Sequence, residues 1–184
     1  MAQRFDQYSE ISYGEGTDRP PGPAEQRALW KWQAAIGYRM FAALRWGQLG
    51  DGHITFRDPE RRDHFWMLSY GVPFRAATVH DLILIAPDGS VADGPPHATA
   101  NTAGYNIHMP LLEVRQDINS AAHTHTAFGT PWSANVEPFR AISQESCSFV
   151  FNQAIYDGED LEVDTTDGGY RIAEAMGTNT LVIL

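Results

Sequence analysis

Ala121-Ala122-His123-Thr124-His125-Thr126 is the stretch on which the reading of this chain turns. It follows Asp117-Ile118-Asn119 and precedes a turn at Gly129-Thr130-Pro131. The small and β-tolerant residues around it predict a strand, in which successive side chains alternate between faces. His123 and His125 therefore leave the same face. Two neutral imidazole nitrogens on one short rigid element can converge on a single divalent ion at about 2.0–2.1 Å from each. The same spacing also describes two ordinary histidines on a half-exposed strand, and two ligands alone do not make a site.

Outward from that stretch, the composition sets the class. A chain of 184 residues, 43% hydrophobic and 20% charged, can bury one sizeable core and reads as one ordinary globular domain. The formal net charge of −10 argues against a nucleic-acid partner, which calls for clustered Lys and Arg. One cysteine, Cys147, excludes an intrachain disulfide and reads as a small buried hydrophobe. The N-terminus lacks the charged-then-apolar pattern of a secretory signal, and no apolar run approaches the roughly 20 residues of a membrane span. The expected compartment is the cytoplasm, with no membrane partner.

Residues 1–23, punctuated by Gly14, Gly16, Pro20, Pro21, Gly22 and Pro23, suit an irregular arm. From Ala24 to Trp46 no proline intervenes, and Leu29, Ile36, Met40 and Leu44 recur near helical spacing, which predicts one long amphipathic helix. Its aromatics, Trp30, Trp32, Tyr38, Phe41 and Trp46, suit core or subunit-contact roles. Strands are expected at Ile54-Thr55-Phe56, at Phe65 to Leu68 and at Leu82 to Ala86, with a charged loop from Arg57 to His64 and Val91 pairing back after the Asp88-Gly89 turn. A helix is expected over 102–114, with Thr102 as its N-cap and a late start or kink forced by Pro110. Phe149 to Tyr156 has strand character, Asp167 to Met176 reads as a helix stopped by Gly177, and Thr180 to Leu184 as a strongly apolar strand.

Several of these blocks together resemble the class II aldolase/adducin family. They are Gly52-His53-Ile54-Thr55-Phe56-Arg57-Asp58-Pro59, Asp81-Leu82-Ile83-Leu84-Ile85 with Asp88-Gly89, and Asn101-Thr102-Ala103-Gly104-Tyr105-Asn106-Ile107-His108. Arg115-Gln116-Asp117, His123-Thr124-His125 and Ser143-Gln144-Glu145-Ser146-Cys147 continue the pattern in family order, from about Gly47 to the last residue. The resemblance implies a three-layer α/β/α fold over residues 24–184 with a central, mostly antiparallel sheet, assembled as a homotetramer. It implies that His123 and His125 hold a divalent metal, with zinc or iron the leading ions. It also implies a third histidine in a segment that follows a strand like Thr180–Leu184, so that the third ligand is expected beyond Leu184 and the chain reads as shortened.

Departures from the family pattern shape the expected chemistry. The glutamate that moves a proton in aldolase-type members falls here on Gly104, which cannot. Positions that cradle a phosphate there read Gly52-His53-Ile54-Thr55 and Ser69-Tyr70-Gly71-Val72-Pro73 here, a poor match. Glu145 is the candidate substitute base, against a surface or helix-capping role. His108 is a candidate catalytic residue, or else a packed core histidine. Tyr70 and Tyr105 can supply phenol donors or core packing. The function implied is a metal-dependent carbon–carbon lyase acting on a small, non-phosphorylated hydroxy- or oxo-acid. A mononuclear iron oxygenase on the same fold needs no glutamate at residue 104 and stands as an alternative. A non-catalytic, adducin-like scaffold stands as a third, although a scaffold has no physical need for two imidazoles on one face.

Overall fold

The computed structural model describes residues 21–158 and 163–184, so most of the N-terminal arm expected at 1–23 lies outside the described residues. Helix α1 (Pro23–Leu44) opens with a proline in its first turn, where the missing N–H costs nothing, and ends at Arg45 in the left-handed conformation. Five strands follow as one sheet: β1 (Gly52–Arg57), β2 (Phe65–Leu68), β3 (Leu82–Ile85), β4 (Val91–Asp93) and β5 (Ser120–Thr124). Their order is β4-β3-β2-β1-β5, and every pairing is antiparallel. Helix α2 (Thr102–Val114) connects β4 to β5. After β5 come two short helices, α3 (Gly129–Ser133) and α4 (Gln144–Cys147), then β6 (Gln153–Ile155), α5 (Thr166–Met176) and β7 (Leu181–Ile183). The last strand pairs in parallel with β6 as a separate two-stranded sheet.

Alternation along the strands builds two cores, one on each face. Phe56, Trp66, Leu68, Leu82 and Leu84 point to one face and pack with Ala34, Tyr38 and Phe41 of α1. Phe65, Met67, Ile83 and Ile85 point to the other and pack with Leu112 of α2, Tyr105 and Met109 joining from the same helix. Helix α5 covers α2 in turn through Ala173 and Met176 against Leu111. The molecule is thus a sheet between helical layers, as the three-layer expectation requires.

Pro110 neither delays nor ends α2, which starts at Thr102. A proline removes the N–H that the carbonyl four residues earlier would accept, here that of Asn106. Gly169 of α5 lies against that carbonyl, so closely that an added Cβ would fall 1.9 Å from the Asn106 oxygen and 2.9 Å from Pro110 Cγ. The two helices therefore approach backbone to backbone at this notch.

Other expectations are corrected. The N-cap of α2 is Asn101, whose side-chain oxygen accepts the Gly104 N–H at 2.9 Å, and Thr102 is the first helical residue. Arg57, expected to open the charged loop, is the last residue of β1, and both it and Asp58 are buried. Arg57 donates to the carbonyls of Arg62, Leu112, Arg115 and Ile118, so that a cation caps the C-terminal end of α2. Asp58 receives Arg27 Nε at 2.6 Å, Trp66 Nε1 at 2.8 Å and the N–H groups of Glu60 and Arg61. Of the aromatics expected on one helix, Tyr38 and Phe41 are core, Trp32 is exposed on α1, and Trp46, also exposed, lies past the end of α1. Only Gln153–Ile155 of the stretch 149–156 is strand. Cys147 is exposed, because its four-residue helix belongs to an excursion that joins none of the core clusters.

Candidate metal centre

The register between β1 and β5 decides the site: His53 stands directly opposite His123, and Thr55 opposite Ala121. Period-two alternation then places His53, Thr55, His123 and His125 on one sheet face, the face covered by α2. Tyr38 fixes this end of β1 from the other side. Its hydroxyl donates to the Ile54 carbonyl at 2.8 Å and accepts the N–H groups of Ile54 at 2.9 Å and Leu68 at 3.3 Å.

On that face four imidazoles lie in file. The His108 ring on α2 is 4.4 Å from that of His53, which stacks on His123 at 5.0 Å and 21°. His123 in turn meets His125 at 4.8 Å, with the two Nε2 atoms 2.9 Å apart. The file runs from fully buried to exposed. His108 is 2% exposed and its Nδ1 lies 2.7 Å from Thr55 Oγ1, a bond that fixes the ring.

Burial sets the protonation states. It lowers His108 to about 3, with a smaller contribution from His123, and lowers His123 to about 4, with a smaller contribution from His125. Burial also pushes His53 well below 6.5, reinforced by the neighbouring histidines. All three are neutral near pH 7 and keep a nitrogen lone pair to offer.

A divalent ion fits the His123/His125 pair on two observations. The Nε2 atoms are spaced as two donors on one ion with bonds of about 2.0–2.1 Å. In addition, His53 Nε2 is buried without a hydrogen-bond partner beside them, the condition of a polar atom whose surroundings are completed by something other than side chains. Among the described residues no third His, Cys, Asp or Glu converges on the same point, so these residues supply two donors.

His53 is the residue that sequence reasoning missed. The sequence shows it within a family-like block and as a poor match to a phosphate loop, with no sign of a place among the histidines; that place depends on pairing with a strand far along the chain. Gly104 makes room for it: an added Cβ would lie 3.1 and 3.2 Å from His53 Cγ and Cδ2. His108 is brought to the cluster, whereas Glu145 is not. Glu145 is exposed in the first turn of α4, where its own backbone N–H and then Ser143 hold its carboxyl below 4.5. Among the described residues no hydrogen bond joins it to the histidines. Tyr105 donates to the Pro87 carbonyl, away from the site, and Tyr70 is 59% exposed.

An antiparallel sheet between helical layers, with a histidine pair on the strand that follows the covering helix, defines the class II aldolase-type α/β fold. The chain belongs to the Class II Aldolase and Adducin N-terminal domain family, whose model matches residues 33–184. It is 32% identical over 163 residues to the 4-hydroxy-3-prenylphenylpyruvate oxygenase/4-hydroxy-3-prenylbenzoate synthase of Streptomyces roseochromogenus subsp. oscitans, covering 88% of this chain and 58% of that protein. It is also 32% identical over 163 residues to Decarboxylase NovR of Streptomyces niveus, covering 88% and 60%. The L-fuculose 1-phosphate aldolase of Glaciozyma antarctica PI12 superposes with a TM-score of 0.80 at 30% identity, over 90% of this chain and 65% of that one. The chain thus spans about 60% of the length of these curated relatives.

Proposed function

We propose that this chain carries the metal-binding half-site of a class II aldolase-like lyase acting on a small, non-phosphorylated hydroxy- or oxo-acid, with His123 and His125 as ligands. The observation that carries this reading is the 2.9 Å approach of the two Nε2 atoms on one sheet face. A bound divalent ion supplies Lewis acidity to a carbonyl or hydroxyl oxygen of the substrate. The protein's own residues support the pair: Thr55 fixes His108, His108 packs on His53, and the His53 ring stacks on the donor His123. His108, which lies in the cluster, is the proposed proton carrier, with Glu145, which this chain does not bring to the histidines, as the alternative; Glu145→Gln against His108→Gln tests which one turnover needs.

The destinations of the backbone donors support a non-phosphorylated substrate. The Ser69 N–H donates to Asp81 O, the Tyr70 N–H to Thr99 O and the Val72 N–H to Ser69 O. The Ile54 N–H goes to Tyr38, and the Gly104 N–H goes to the Asn101 cap. Donors already spent inside the protein are not offered to a phosphate.

A second reading, an iron-dependent oxygenase, is favoured by Gly104, which offers no carboxylate, and by the name of one relative. Elemental analysis of protein purified without added metal tests both readings, comparing wild type with His123→Ala/His125→Ala. Zinc or iron that tracks with the histidines is expected, and turnover of oxo-acids under argon and under air then separates lyase from oxygenase. A wild-type protein that holds no metal and cannot be loaded defeats both and leaves the scaffold. A homotetramer is part of the proposal, and light scattering gives the mass.

A further inference from the structure

A cavity of about 150 Å³ opens at the end of β1 away from His53, where Arg57 closes the strand. None of the four histidines of the metal centre lines it. Its apolar wall is Phe65 and Pro87 with Met109 and Leu112 of α2. Arg57, Asp63, His64, Glu113 and Gln116 complete the lining. A cavity of this size with apolar walls has room for one benzene-sized ring.

The polar groups of the lining differ in what they have left to offer, and its donors are committed. Arg57 donates to the carbonyls of Arg62, Leu112, Arg115 and Ile118. The Gln116 amide donates to Glu113 O at 2.8 Å and to Leu112 O at 3.4 Å. A carboxylate only accepts, so the 2.8 Å contact of His64 Nδ1 with Asp63 Oδ1 takes up the Nδ1 proton. Acceptors remain. Asp63 and Glu113 are both exposed, and among the described residues each carboxylate has one side-chain partner, His64 for the first and the Tyr170 hydroxyl for the second. The Gln116 side-chain oxygen has no donor among the described residues.

An apolar wall beneath an acceptor rim that carries two carboxylates is complementary to a cation with several N–H donors on a small apolar body. We propose that this cavity is a second binding site, which takes an arylalkylamine: the ring lies against Phe65, Met109 and Leu112, and the ammonium meets the rim of Asp63 and Glu113. An anion of the same shape faces the two carboxylates and finds the donors of the lining already committed. The site shares no residue with the histidine file, so it stands whether or not His123 and His125 hold a metal.

The test is a ligand-observed NMR titration at pH 7 in the presence of EDTA, so that no amine is held by a metal ion. The probes are 2-phenylethylamine, 3-phenylpropionate and ethylamine. Wild type is expected to bind 2-phenylethylamine about fivefold more tightly than either of the others, the gain of partly solvated ion pairs over the anion and of ring burial over the short amine. Asp63→Asn/Glu113→Gln keeps an acceptor oxygen for His64 and for Tyr170, and is expected to bring the ratio of cation to anion to about one while the urea midpoint stays near that of wild type. Met109→Trp, which fills the cavity, is expected to abolish binding of 2-phenylethylamine. A wild type that binds no 2-phenylethylamine, or binds the anion equally well, overturns the proposal. So does a ratio that survives in Asp63→Asn/Glu113→Gln, or binding that survives in a folded Met109→Trp; should Met109→Trp fail to fold, the charge variant decides alone.

Discussion

Gly104 on α2 and His53 on β1 are in contact across the layer boundary, with an ideal Cβ at residue 104 only 3.1 Å from His53 Cγ and 2.9 Å from Met67 Cε. The absence of a side chain on one element is what allows the imidazole on the other. Gly104→Ala therefore has two opposed effects: a helix-propensity gain of up to about 1 kcal/mol and an overpacking cost of similar size, since Met67 is flexible and the His53 ring must shift by a few tenths of an ångström. The expected net change in urea unfolding is within about 1 kcal/mol. Gly104→Glu cannot be placed by so small a shift and is expected to lose about 2–3 kcal/mol.

Gly169→Ala is the contrasting case. Its Cβ would lie 1.9 Å from a backbone oxygen, that of Asn106, which no rotamer change relieves. The α2–α5 contact must open, at an expected cost of about 3 kcal/mol in urea unfolding. An effect below about 1 kcal/mol would show that the notch left by Pro110 is not a fixed close approach.

The layers were legible in the sequence because their signals are local. Phe65 to Leu68 and Leu82 to Ile85 are short unbroken apolar runs since both of their faces are covered, and α1 shows its helical spacing over many turns. The His123/His125 pair was legible for the same reason, being two residues apart at the end of one strand. His53 was not: alternation tells which residues share its face, but only the antiparallel register of β1 on β5 sets it against His123. The burial of Arg57 and Asp58 was hidden because their partners, the carbonyls ending α2 and Arg27 on α1, belong to other layers. Cys147 was misjudged because burial depends on whether the segment joins a core, and the excursion after β5 does not.

Asp58 ties α1 to the sheet. Burial alone would raise its carboxyl, but Arg27, the N–H of Arg61, Trp66 and the N–H of Glu60 outweigh it and hold the group well below 3.8. With the folded value depressed, its stabilisation is present above about pH 3.9 and is lost as pH falls further. Arg27→Ala removes the charged partner but leaves the indole and backbone donors, and Arg27 itself is partly exposed. The expected loss at pH 7 is about 2 kcal/mol, below the 3–5 kcal/mol of a fully buried pair. The mutant's stability should also fall less steeply than that of the wild type below pH 4, as chemical denaturation across pH 2–5 would read.

Neutral buried histidines put an earlier limb on the acid side. His108 takes up a proton near its ordinary 6.5 when unfolded but only near 3 when folded, because burial, and secondarily His123, oppose its charge. The folded state therefore has its full advantage above pH 6.5 and loses it as pH falls towards 3, with a slope of up to about 1.4 kcal/mol per pH unit for each such histidine. Stability is expected to decline already between pH 6.5 and 4.5, before the carboxylates titrate. His108→Gln should flatten that limb, at the cost of disturbing the bond to Thr55, and a wild-type profile level down to pH 4.5 would contradict the burial of the file.

Metal binding should register as stability. An ion held by the folded pair and not by the unfolded chain stabilises by RT ln(1 + [L]/Kd), about 2.7 kcal/mol at one hundred times Kd. Zinc added to the metal-free wild type is expected to raise Tm by several degrees, and EDTA to reverse it. His125→Ala should abolish the shift while leaving the metal-free Tm nearly unchanged, because His125 is exposed and, among the described residues, its ring contact is with His123. His53→Gln gives the complementary outcome, since His53 lies outside the donor pair: a lower metal-free Tm from the lost stacking on His123 and edge-on contact with His108, with most of the zinc shift retained. Loss of the zinc shift in His53→Gln with an intact fold would place His53 among the ligands.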